Sequence, residues 1–165
     1  MAALDPALVE FLNSGVVLGC ASRDSRLVPR SAWPVGIRVE AGGEEVTIFL
    51  PVATSEEVLA NLRDNRRIAL VATAPADHRS LQLKGQVLEN RPASDEERSQ
   101  IDLYRACLAR TLEPHGVPRA SVLRIAHWPA QAVRFRVEHV FVQTPGPIAG
   151  QPFQAPFRPP EPVRT

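Results

Sequence analysis

The chain has only two cysteines, Cys20 and Cys107, far apart and without a CxxC pair or a histidine at ligand spacing, which excludes a disulfide framework and a zinc site. Both read as buried apolar thiols. Aromatic residues make up 5% of the chain, with one tyrosine and two tryptophans, too few for the aromatic and basic interleaving that grips single-stranded nucleic acid. Charge of one sign is also missing: 19 basic residues against 18 acidic ones leave a formal net charge of +1, so no global field draws the chain to nucleic acid or an anionic membrane. No apolar run approaches the roughly 18 residues of a membrane span. Met1 to Pro6 shows no basic region followed by an apolar one, and a cytoplasmic protein is the expectation.

Catalytic signatures are equally scarce. There is no GxSxG nucleophile turn, no GxGxxG and no Walker loop. The carboxylate pairs Glu44-Glu45, Glu56-Glu57 and Asp95-Glu96-Glu97 fall at turns or helix starts, where the helix dipole accounts for them. His78, His115 and His127 are scattered, and His139 falls on the inward register of a strand, as a core histidine. No catalytic residue can be named, and any reaction would be carried by a cofactor.

What is present is an ordinary core composition, 44% hydrophobic and 22% charged, in a length suited to one domain. Asp5-Pro6 opens a short helix that ends before Gly15. Val16 to Ala21 is an apolar run expected as a buried strand, Pro29 to Glu40 a strand made irregular by Pro34, and Glu45 to Leu50 an alternating strand after a Gly42-Gly43 turn. Thr54 and Glu57 have capping-box spacing for a helix running to Asn65. Strands follow at Arg67 to Thr73 and Arg79 to Glu89; the second alternates Leu81, Leu83 and Val87 with Ser80, Gln82, Lys84 and Gln86. Ser94 and Glu97 repeat the capping-box spacing before a longer helix with Ile101, Tyr104, Leu108 and Leu112 on one stripe. A short helix from Arg119 to His127 precedes a last strand, Ala132 to Gln143, with Val133, Phe135, Val137 and Phe141 inward. The pattern predicts a mainly β fold: about six strands in an antiparallel barrel with flanking helices, one domain over 1–143, which the resemblance below specifies as a six-stranded antiparallel split barrel. Residues 144–165 carry Pro145, Pro147, Pro152, Pro156, Pro159, Pro160 and Pro162, and are expected as a partly disordered arm pinned by Phe153 and Phe157.

The stretch Gly15 to Asp24, the strand ending in Ile48-Phe49-Leu50-Pro51, the helix Glu57 to Asn65 with Arg66 to Leu70, and Arg79 to Gly85 together resemble, in order and spacing, the flavin-binding split-barrel family related to pyridoxamine 5'-phosphate oxidase. The resemblance covers roughly residues 5–90. It implies a homodimer with FMN in clefts between subunits, acting as an oxidoreductase or a flavin-linked stress protein of unknown substrate. The carried-over binding positions are Arg30 and Ser31 on the second strand, Thr54 and Ser55 at the phosphate turn, and Arg79, Ser80 and Gln82 on the cleft strand. The oxidase's C-terminal Trp-Arg-Leu type motif is missing, which sets vitamin B6 oxidation aside. Val58 stands where FMN-gripping members carry a lysine, and the acidic Glu56 and Glu57 precede it, so F420 or haem are the alternative ligands. A non-catalytic binding or dimer-scaffold protein is the alternative of a different class.

Overall fold

The computed structural model describes residues 3–154. Seven strands form one antiparallel sheet in the order β2-β1-β5-β6-β7-β4-β3. These are β1 (Val17–Arg23), β2 (Pro29–Ala32), β3 (Ile37–Val39), β4 (Glu45–Pro51), β5 (Arg67–Thr73), β6 (Ser80–Pro92) and β7 (Ala130–Val142). The sheet is not closed; β2 and β3 are its two edges. One strand more is present than the sequence pattern predicts, because Pro29 to Glu40 is two strands. After β2 the chain breaks at Trp33-Pro34, where proline cannot continue a ladder, and β3 pairs with β4 at the opposite edge.

β6 and β7 are the longest strands, at 13 residues each, and they organise the sheet. Their pairing slips at Lys84/Gly85, where Lys84 faces His139 but Gly85 faces Val137, so Glu138 is an extra residue on β7. A bulge of this kind inverts the in-and-out alternation beyond it. Val133, Phe135 and Val137 are buried as predicted, but past Glu138 it is Val140 and Val142 that pack on the core. Phe141 and His139 therefore lie on the outer face, and His139 is exposed rather than inward. Gly85 permits the slip: a Cβ there would sit 1.9 Å from the Arg136 carbonyl oxygen.

The inner face carries Leu18, Leu70, Leu81, Leu83, Ile48 and Phe135, all 1% exposed or less. Helix α1 (Pro6–Asn13) covers part of it with Leu8, Phe11 and Leu12, and starts at Asp5, whose carboxylate accepts from the Ala7 amide at 2.9 Å. Helix α2 (Glu56–Asn65) adds Val58, Leu59 and Leu62. Its N-cap is Ser55 rather than Thr54, because Val52–Thr54 form a 3-10 turn; the Thr54–Glu57 box does not form.

Helix α3 (Asp95–Leu112) does start with the predicted box, Ser94 with Glu97. It crosses to the outer face, where Ile101 joins Phe49, Val35, Ala130 and Ala132 in a second cluster. This cover explains why β4 is buried on both faces. Tyr104 on the same helix donates to the Val16 carbonyl at 2.8 Å. Helix α4 (Arg119–Leu123) is shorter than the sequence pattern suggests, ending before His127.

Beyond β7, Thr144 to Gln154 folds back along the part of β7 that β4 does not reach. The Phe153 amide donates to the Val140 carbonyl at 2.8 Å, and the Phe153 side chain packs on the core. Phe157 and the rest of the expected arm lie outside the described residues. Cys20 is buried, and burial pushes its thiol up to about 12; Cys107 is only half-buried, with Arg110 3.4 Å from its sulfur. No helix among the described residues is long and apolar enough to cross a membrane.

Candidate functional site

Among the described residues nothing covers the outer face over β1, β5 and the first half of β6. Strand register lays its side chains out in rows. One row runs Ser31, Ala21, Ala69, Lys84, His139, and the next runs Gly19, Val71, Gln82, Phe141. The middle of both rows is small. A Cβ on Gly19 would already touch Val71 Cγ1 at 3.3 Å, so glycine keeps that floor low.

Two contiguous hollows occupy this floor, sharing Ala21 and Ala69. The first, about 470 Å³, is bordered by Arg23, Arg67, Lys84, Glu138 and His139. The second, about 300 Å³, is bordered by Ser31, Trp33 and Gln82. Trp33 is 67% exposed. From β2 to β6 is three strand spacings, about 14 Å, the width of a slot for a flat ring system.

The charges around this slot are sparsely paired. Arg67 donates to Glu138 at 2.8 Å. Among the described residues Arg23 and Lys84 form no ion pair; the Lys84 ammonium sits 4.9 Å from the centroid of the Phe141 ring, a cation–π contact.

The seven carried-over positions divide. Ser31 and Gln82 both line the second hollow, on β2 and β6 in adjacent rows. Arg30, next to Ser31, points to the other face by strand alternation, and its guanidinium meets Glu57 on α2 at 3.0 Å. Thr54 is exposed on the 3-10 turn, and Ser55 is 2% exposed with its hydroxyl unpartnered. Arg79 lies before β6, bonded to Asp77 at 2.6 Å and placed over the Phe11 ring. Ser80 shares the face of Gln82 but is buried at the sheet end, its hydroxyl 2.9 Å from that of Thr73, while its amide donates to Thr144. The slot thus brings together Ser31 and Gln82, with Arg30 and Thr54–Ser55 at α2 and Arg79–Ser80 at the far end.

Lys84 and His139 were not singled out from the sequence as binding positions. The alternation of β6 already puts Lys84 on the face of Gln82, so Lys84 was legible; His139 was hidden by the bulge. No group of three or more metal-ligating side chains occurs among the described residues.

An open seven-stranded antiparallel sheet with its helices at the mouth and on one outer flank defines a split barrel. Solved structures specify it further. A putative pyridoxamine 5'-phosphate oxidase from Lactobacillus delbrueckii superposes at a TM-score of 0.53 with 14% identity, over 84% of this chain and 93% of that one. An FMN-binding protein from Syntrophomonas wolfei gives 0.52 with 10% identity, over 84% and 87%. An F420 reductase gives 0.50 with 13% identity, over 79% and 93%. The chain shares with these proteins the split-barrel fold, an open antiparallel sheet with flanking helices. No family model matches it, and no curated protein matches it in sequence.

Proposed function

We propose that the protein binds FMN in the outer-face slot, as a homodimer whose second copy closes the slot from above, and acts as a flavin-dependent oxidoreductase or flavin-linked stress protein. The observation that carries this reading is the patch of Gly19, Ala21 and Ala69, a floor of small residues bordered by the hydrogen-bonding side chains Ser31 and Gln82. A flat ring needs such a floor, and a width of about 14 Å from β2 to β6 supports the reading. Bound FMN would supply hydride chemistry at its isoalloxazine ring. The chain's own residues would do the rest: Gln82 and Ser31 hydrogen-bond the ring edge, and Trp33 and Val71 keep water from its face.

The visible absorption spectrum of the protein as isolated, with thermal shifts in FMN, F420 and haem, tests the reading. At a hundredfold excess over Kd, a bound ligand adds about 2.7 kcal/mol, a shift of roughly 5–11 °C for a chain of this size. Ala69→Leu fills the floor and is expected to lower FMN affinity at least about tenfold through steric exclusion, with an unchanged circular dichroism spectrum. A colourless protein that none of the three ligands stabilises sinks the proposal. In that outcome, a dimer by sedimentation would favour the non-catalytic scaffold.

F420 is the second reading, favoured by Glu56 and Glu57 at the turn where an FMN phosphate is expected and by an F420 reductase of the same fold. A larger shift with F420 than with FMN would select it.

A further inference from the structure

We infer that the anionic tail of the slot's ligand is held at the Arg23–Lys84–His139 end of the groove, and not at the turn before α2. This inference rests on the reading that the groove takes a flat cofactor.

The turn before α2 is poorly suited to an anion in this chain. Of the basic side chains near it, Arg30 is already neutralised by Glu57 at 3.0 Å, and Arg63 borders a hollow that Glu56 shares. Glu56 and Glu57 fill the first helical turn, where their carboxylates occupy the positive end of the dipole that a phosphate would otherwise use. The Ser55 hydroxyl is buried and turned away from solvent.

The opposite end has the complementary chemistry. The hollow of about 470 Å³ is bordered by three cations, Arg23, Arg67 and Lys84, and by one carboxylate, Glu138, which Arg67 already holds at 2.8 Å. Arg23 and Lys84 are left over. Each sits one strand from Ala69, on the two strands that flank β5: Lys84 is the register partner of Ala69, Ala69 that of Ala21, and Arg23 lies two residues beyond Ala21 on the same face. An anion above Ala21 and Ala69 is flanked by both. The Phe141 ring holds Lys84 from one side and leaves its N–H groups to donate. His139, beside Lys84 in register, offers a further ring nitrogen. The ligand class is therefore a flat ring carrying a phosphate or carboxylate tail, with the ring toward Gly19 and Gln82 and the tail toward Arg23 and Lys84.

Titrations with FMN, riboflavin and tripolyphosphate separate the claims, since riboflavin has the same ring without the phosphate. The wild-type chain is expected to prefer FMN over riboflavin. Arg23→Met and Lys84→Met should each weaken FMN by roughly tenfold, the size of a lost charge-assisted hydrogen bond, and leave riboflavin unchanged. Arg30→Met should alter neither. The inference is overturned if Arg30→Met removes the preference while the Arg23 and Lys84 variants keep it; flavin binding itself then stands. If neither flavin binds but tripolyphosphate stabilises the wild type and not the Arg23 and Lys84 variants, the anion site stands and the flavin reading falls. If none of the three probes binds, both fall.

Discussion

Beneath α3, Arg38, Arg91 and Arg134 each meet a carboxylate, whereas over β1 and β6 Arg23 and Lys84 meet none among the described residues. In the first region Glu97, 4% exposed, accepts from Arg91 through both oxygens at 2.7 and 2.8 Å and from Arg38 at 3.2 Å. Arg134 bridges Glu45 at 2.7 Å and Glu89 at 3.4 Å. These charges answer one another and clasp α3 to the sheet. In the second region the side chains between the charges are glycine and alanine, and the charges are left for something else to answer. The same sheet face therefore shows what a charge looks like when it is structural and when it is available.

The sharpest way to break this contrast is at the boundary between the regions. Gly85→Val puts a side chain where a Cβ would stand 1.9 Å from the Arg136 carbonyl oxygen. Without the bulge the two halves cannot keep opposite alternation, and a loss above about 3 kcal/mol is expected, read as a lost or strongly lowered melting transition. A variant as stable as the wild type would show that the slip does not depend on glycine.

A smaller effect is expected from Glu97→Gln, which removes the shared carboxylate and should cost about 2–3 kcal/mol, less than a fully buried pair, because Arg91 and Arg38 keep access to water. The pH profile carries the same signature. Hydrogen bonds from Arg91, helped by the Ser94 amide and Arg38, hold the Glu97 carboxyl down to about 2 from its ordinary 4.5. A depressed folded pKa gives stability that is complete above the unfolded value and is lost as pH falls from 4.5 towards 2. Urea melts across that window should fall steeply for the wild type and more gently for Glu97→Gln, while Lys84→Met follows the wild type. The smallest effect belongs to the Arg30–Glu57 pair, 49% and 66% exposed: Arg30→Met should change stability by no more than about 0.5 kcal/mol in the same melts.

Elements whose signals are local were legible in the sequence. Ser94 and Glu97 cap α3, and Asp5-Pro6 start α1, because the groups that satisfy each other are three or fewer residues apart. What was not legible depends on partners distant in the chain. Nothing near Pro34 tells that the strand after it crosses to the other edge, since that is decided by pairing with β4. Periodicity counted along β7 puts His139 inward because it cannot see the extra residue that Gly85, about fifty positions earlier, admits. At the candidate site, alternation correctly put Gln82 and Lys84 on one face. The pairing of Arg30 with Glu57 needed the helix packed beside its strand.

The two edges described for the sheet have a consequence for how this protein avoids unwanted company. β2 has four residues and begins with a proline, and β3 has three. Edges so short expose few free amides and carbonyls, and the proline removes one donor outright, so each is a poor template for a strand added from a neighbouring chain. Lateral growth is disfavoured at both edges of a sheet whose central strands are long. A partner that meets this molecule face-on does so through side chains, with the specificity that side chains confer.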